Sequence, residues 1–142
     1  MNRDDFRRLA ETRLEDAKAL FTAGRFDAAY YLGGYAVECA LKALICANTR
    51  EFDFPPKDAK DYYTHDLVKL LTIAGLENSL KEVFRDNQRL DEYWNVVKDW
   101  KEDRRYRSEG TDAERAAREL IEAISDPEHG VLQWLRNHYG KS

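Results

Sequence analysis

The chain has 142 residues, of which 27 are acidic and 23 are basic, so its formal net charge at pH 7 is −4. This length predicts a single domain over residues 1–142, and 43% hydrophobic with 35% charged residues excludes a disordered tail and a membrane protein. The negative balance argues against nucleic-acid binding over the whole surface but leaves room for a local basic patch. Cys39 and Cys46 lie in an apolar run and suit buried thiols of a reducing compartment. Since we find no signal-peptide pattern, we expect a cytoplasmic protein with no membrane partner.

The first half of the chain predicts two long helices. Apolar residues recur at three- and four-residue steps from Asp5 onward, and this first helix is expected to end at Gly24. Asp27 can cap a second helix over residues 28–47. Because that helix is apolar on nearly all sides, we expect it at the centre of a helical bundle.

The middle of the chain predicts a loop followed by shorter helices. Residues 48–64 lack periodicity and contain two consecutive prolines, which stop a helix. Thr64 is expected to cap a short helix that ends at Gly75. Residues 78–100 predict a further helical region, broken near Asn87.

The last third of the chain completes an all-helical pattern. Residues 101–110 are charged and are expected to be irregular, and residues 111–124 predict a helix with a capping box at its start. Asp126 and Pro127 suit the N-cap and first turn of a last helix. The predicted fold is therefore all-α, an up-and-down helical bundle of five to six helices.

Four stretches of the sequence resemble one known family. Residues 25–44 read RFDAAYYLGGYAVECALKAL, residues 64–67 read THDL, residues 100–106 end in Arg-Tyr, and residues 126–135 read DPEHGVLQWL. In this order they are similar to the HEPN domain (higher eukaryotes and prokaryotes nucleotide-binding), in particular to small stand-alone members of the nucleotidyltransferase-associated type. The resemblance covers roughly residues 3–138.

This resemblance implies a fold, a set of partners and a possible activity. HEPN domains are up-and-down helical bundles that are commonly homodimeric and often partnered with small nucleotidyltransferases. Some are metal-independent ribonucleases that act as toxins or defence proteins, and these use an arginine followed by a histidine after four to six residues. None of the required positions before His65, His129 and His138 holds an arginine. The nearest substitute, Lys60, lacks the planar guanidinium that grips a phosphate, so we expect no catalytic residue of the family mechanism.

The predicted second helix carries a polar line in an otherwise apolar element. Glu38 and Lys42 stand at i and i+4 in the orientation that favours pairing. His65 can bond to a buried acid such as Glu38, and the hydroxyls of Tyr31 and Tyr35 can complete that network or line a cleft. Two interpretations stay open for these residues. They form a structural ion pair, in which neither charge tolerates burial without the other, or they are the supporting polar core of a ligand pocket.

The charged segment after the predicted helical region is the strongest candidate for ligand contact. Residues 101–107 hold four basic and two acidic side chains, a local net charge of +2. Arg104, Arg105 and Arg107 surround Tyr106, so the segment can hold a phosphate and stack a base. The alternative is a solvated loop in which Arg105 is tied back to helix carboxylates. No residues show zinc-ligand spacing or a glycine-rich phosphate loop, so no metal and no cofactor are expected.

Three functions remain open from the sequence. The first is a non-catalytic HEPN homodimer that binds a nucleotide, RNA or a nucleotidyltransferase partner in a toxin–antitoxin or defence setting. The second is a metal-independent ribonuclease with a non-standard site, such as His65 with Arg105 across space. The third is a structural interaction module that uses the aromatic residues of the loop at 48–63, which must pack on the bundle or meet a partner.

Overall fold

Helices account for all the regular secondary structure in the described part of the chain. The computed structural model describes residues 2–48, 63–101 and 111–140. The helices in these ranges are α1 (Arg3–Thr22), α2 (Phe26–Asn48), α3 (Leu67–Ile73), α4 (Glu77–Phe84), α5 (Gln88–Lys98), α6 (Thr111–Ser125) and α7 (Val131–Arg136). The predicted all-α fold is confirmed. The described helices number seven rather than five to six, because the predicted region 78–100 is two separate helices.

Both ends of α1 follow from local side-chain chemistry. The Asn2 side chain accepts the backbone N–H of Asp5 at 2.9 Å, while the Asp5 carboxylate accepts the backbone N–H of Asn2 at 3.0 Å. This reciprocal capping box starts the helix at Arg3, two residues earlier than predicted. At the other end Gly24 adopts a φ of +79°, a left-handed conformation that favours glycine, so the predicted helix end is confirmed.

Helix α2 is the central element of the bundle, as predicted. It packs against α1, α3, α6 and α7, and its alanines at positions 29, 36, 40 and 43 are fully buried. The prediction that Asp27 is its N-cap is wrong. The Arg25 carbonyl already accepts the Ala29 N–H at 3.0 Å, so the helix begins at Phe26 and Asp27 lies in its first turn, where the helix dipole favours a carboxylate.

The starts of α3 and α5 are fixed by short polar side chains. Asp66, not the predicted Thr64, caps α3, because its carboxylate accepts the N–H groups of Val68 and Lys69 at 3.0 and 3.2 Å. Thr64 instead accepts the backbone N–H of Asp66 at 3.1 Å. The predicted break near Asn87 is confirmed, since its side chain caps α5.

The connection between α6 and α7 differs from the prediction. The Asp126 carboxylate accepts the N–H groups of Glu128 and His129 at 2.9 and 3.0 Å, so it caps a turn rather than the last helix. Helix α7 begins later, after Gly130. A side chain at Gly130 would meet the Asp126 carbonyl oxygen at 2.5 Å, and this close backbone approach requires glycine.

Helix α7 and the residues after it are held against α1 by polar contacts. The Arg136 guanidinium donates to both carboxylate oxygens of Glu11. The Arg7 guanidinium donates to the Tyr139 carbonyl and lies over the Tyr139 ring, 4.5 Å from its centroid. Burial raises the pKa of the Tyr139 hydroxyl to about 12. None of the helices in the described ranges is both long and apolar enough to cross a bilayer.

Candidate functional site

A buried carboxylate on α2 is the centre of the candidate site. Glu38 is 2% exposed. Its Oε2 accepts a hydrogen bond from the Lys42 Nζ at 3.2 Å, and its Oε1 lies 2.8 Å from Nδ1 of His65. The structure therefore brings together three of the predicted polar residues and joins α2 to the segment that leads into α3.

The members of this cluster differ in their access to solvent. Lys42 is 8% exposed and compensates the Glu38 charge inside the bundle, as a buried carboxylate requires. The His65 side chain is 47% exposed and is held through Nδ1. A carboxylate in this position orients an imidazole ring, both in structural contacts and in proton-transferring sites. This arrangement therefore suits both a structural contact between α2 and the segment before α3 and a histidine that transfers protons.

An aromatic row continues from the cluster along α2. The rings of Tyr31 and Tyr35 are stacked with centroids 6.3 Å apart, and Tyr31 lies 6.2 Å from the Trp100 ring. Burial raises the pKa of the Tyr35 hydroxyl. Burial also raises the pKa of the Cys39 thiol to about 12, so it carries a proton at neutral pH and is a poor nucleophile. The prediction of burial holds for Cys39, whereas Cys46 is half-buried.

Sequence reasoning missed the contact between Trp100 and α2 near this site. Its indole is 2% exposed and its Nε1–H donates to the Tyr30 carbonyl at 3.2 Å. A Cβ atom on Gly34 would lie only 2.1 Å from Cε2 of Trp100. The signal in the sequence was the pair of glycines in mid-helix, which weakens a helix unless something packs closely there.

The predicted ligand-binding segment itself lies outside the described residues. This applies to Arg104, Arg105, Tyr106 and Arg107, and to residues 49–62 of the aromatic loop predicted at 48–63. Of the two loop residues that are described, Asn48 ends α2 and Tyr63 is 63% exposed. The structure does show where the basic segment begins. Lys101 follows directly after the anchored Trp100 and is exposed.

The three histidines have carboxylate or carbonyl partners. Besides the His65–Glu38 contact, His138 Nδ1 lies 2.9 Å from the Trp134 carbonyl oxygen, and His129 Nε2 lies 3.5 Å from the Glu128 carboxylate. Across residues 2–48, 63–101 and 111–140, no three His, Cys, Asp or Glu side chains converge as metal ligands.

Comparison with known proteins agrees with the resemblance seen in the sequence. A family model described as "HEPN domain" matches residues 4–138, nearly the whole chain. Searches of curated proteins and of solved structures gave no match.

Proposed function

Because the chain belongs to the HEPN domain family, we propose that it is a non-catalytic domain that binds RNA or a nucleotide and works as a homodimer. Family membership supports a function related to nucleotides or RNA in general terms. The observation that carries the finer proposal is the anchoring of Trp100 on α2. Trp100 directly precedes Lys101, so this contact holds the chain next to Tyr31 of α2 at the residue before the basic segment.

The chemistry of the basic segment suits a phosphate-bearing ligand. Arg104, Arg105 and Arg107 follow Trp100 within seven residues, and guanidinium groups bind phosphate oxygens through paired N–H donors. Tyr106 offers a ring on which a base can stack, an interaction that tolerates any base. The local charge of +2 is opposite to that of a phosphate backbone.

The non-catalytic part of the proposal rests on the histidines. No arginine precedes any of them at the spacing that the family ribonucleases use. In the proposed role, Glu38 and Lys42 are the supporting polar core, and Glu38 fixes the start of α3 through His65. We also propose a nucleotidyltransferase as protein partner in a toxin–antitoxin or defence system, which is what the resemblance of the sequence implies. A nucleotidyltransferase gene beside this one would strengthen that part.

Ligand contact by the basic segment is tested with Arg105→Ala. We expect affinity for a fluorescein-labelled single-stranded RNA, measured by anisotropy, to fall about tenfold, since a hydrogen bond to a charged group is worth about 1.5–3 kcal/mol. The same titration with a labelled nucleotide separates RNA from nucleotide binding.

The matched control is Arg85→Ala, which removes an exposed arginine that follows α4. Its affinity should equal that of the parent, and circular dichroism should show both variants folded. Equal losses in the two variants, or a parent that binds neither probe, would overturn the proposal. A protein partner that co-purifies without RNA binding would favour the interaction-module function instead.

A metal-independent ribonuclease is the second candidate, and the 2.8 Å contact between Glu38 and His65 favours it. A carboxylate that holds Nδ1 of an exposed imidazole is the arrangement that prepares a histidine for general acid–base work. Incubation of the purified chain with total RNA in the presence of EDTA tests this function, with His65→Ala beside it. Cleavage that disappears in the variant supports the enzyme, whereas cleavage that survives points to a contaminant.

A further inference from the structure

An open groove lies between the C-terminal part of α1 and α6. Its volume is about 420 Å³, within the range of small-molecule sites. Phe21 and Ile121 supply its apolar surface, and Lys18 and Arg118 supply one cation from each helix. Such a mixture of apolar lining and a few polar groups is typical of ligand pockets.

The apolar part of the groove is fixed by the core. The Phe21 ring packs edge-on against Phe26 with centroids 5.2 Å apart, and both Phe21 and Ile121 pack against the buried core cluster. The Arg118 guanidinium lies 5.7 Å from the Phe21 ring centroid. The groove therefore offers an apolar surface that is held against the core, with the Arg118 cation over the Phe21 ring.

The residues that line the groove carry two positive charges, on Lys18 and Arg118, and one negative charge, on Glu122. Arg118 pairs with Glu114 at 2.9 Å and Lys18 with Glu15 at 3.8 Å, each within its own helix. These exposed pairs are weak, so a ligand anion can replace their carboxylates at little cost. The groove's own acid, Glu122, lies 3.3 Å from the Tyr93 hydroxyl, which makes its shorter hydrogen bond to Asp126 at 3.0 Å.

We propose that this groove binds a small amphipathic anion, with its apolar ring on Phe21 and Ile121 and its acidic group between Lys18 and Arg118. The acidic group is a carboxylate or a phosphate, which present the same negative oxygens to the two cations. The groove shares no residue with the proposed RNA site, so either proposal can fail without the other.

A titration with 2-naphthalenesulfonate, followed by two-dimensional ¹H–¹⁵N NMR, tests the site. We expect saturable shifts confined to residues 18–22 and 118–125. The neutral analogue 2-naphthalenemethanol should bind about three- to fivefold more weakly, as loss of an exposed ion pair predicts. Shifts scattered over the bundle, or equal affinity for the two probes, would overturn the proposal.

Variants of α6 provide the matched comparison. Arg118→Ala should weaken binding of the sulfonate about three- to fivefold. Arg115→Ala, which removes another exposed and acid-paired arginine of the same helix, should leave it unchanged. Equal effects in the two variants would contradict the site.

Competition then identifies the acidic group. Displacement of the sulfonate by 2-naphthoate assigns a carboxylate ligand, and displacement by adenosine monophosphate assigns a phosphate ligand. Displacement by neither would overturn the proposal.

Discussion

The absence of a side chain at position 34 decides how closely Trp100 approaches α2. Gly33 and Gly34 look alike in the sequence, yet they face different neighbours. A Cβ on Gly33 would make ordinary contact with Leu120 at 3.4 Å, whereas one on Gly34 would overlap the Trp100 ring at 2.1 Å. The sequence places both in a buried helix and predicts close approach of another helix along the stripe of small residues that begins at Gly33, whereas the tighter contact is at Gly34.

Alanine substitutions at the two glycines should therefore have different effects. Gly34→Ala should lower the free energy of unfolding by about 1–3 kcal/mol, because the Trp100 ring must move. Gly33→Ala should leave it unchanged or raise it by up to about 1 kcal/mol, since alanine is the better helix residue. Urea denaturation followed by circular dichroism measures both, and similar losses in the two variants would contradict the close approach at Gly34.

The buried pair of Glu38 and Lys42 leads to a second prediction at this scale. Glu38→Ala should lower the free energy of unfolding by about 3 kcal/mol, because it removes the buried carboxylate that accepts from Lys42 and contacts His65. The double variant Glu38→Leu with Lys42→Met should lose clearly less, since apolar residues often replace a buried pair without cost. Equal losses in urea denaturation would show that Lys42 is not compensated by Glu38.

Helix ends are where the predicted elements and the observed ones differ. The predicted helices were found, but the assigned cap was wrong for α2, α3 and α7. Near α3 two capping side chains, Thr64 and Asp66, lie two residues apart. Short polar side chains compete for the same few N–H groups. Which of them becomes the N-cap depends on backbone angles, which cannot be read from a pattern of residues.

The turn between α6 and α7 gives a pH-dependent prediction. Hydrogen bonds from the N–H groups of His129 and Glu128 hold the pKa of Asp126 below its ordinary value of 3.8. The folded state therefore favours the ionised carboxylate, and its contribution is present above pH 3.8 and is lost as the pH falls through the lowered pKa.

Asp126→Asn keeps the acceptor oxygen but removes this titration. The free energy of unfolding of the parent should fall more steeply than that of the variant between about pH 5 and about pH 2. Urea denaturation at a series of pH values gives the two curves. Parallel curves would mean that the turn does not depend on the charge of Asp126.

At the scale of the whole molecule, the sequence was sufficient for the family and the helical architecture. Its motifs run in order along the chain, and the family match covers residues 4–138. The i and i+4 spacing also indicated the Glu38–Lys42 pair. The groove between α1 and α6 was not predictable, because Lys18 and Arg118 are brought together only by packing of helices distant in the chain.

The proposed homodimer is tested by mass. Analytical ultracentrifugation at micromolar concentration should give twice the 16.6 kDa of one chain, with dissociation on dilution if the interface is small. A species of 16.6 kDa at all concentrations would contradict the homodimer, while leaving RNA binding by a single chain to be judged by the anisotropy titration.

The anchoring of Trp100 also gives the protein a built-in optical signal. The emission of an indole depends on its surroundings, and this ring is 2% exposed at the point where the chain enters the arginine-rich segment. Replacing Trp94 and Trp134 with phenylalanine would leave Trp100 as the single emitter. Binding of a ligand to the arginine-rich segment would then change the emission spectrum of Trp100, without an attached dye.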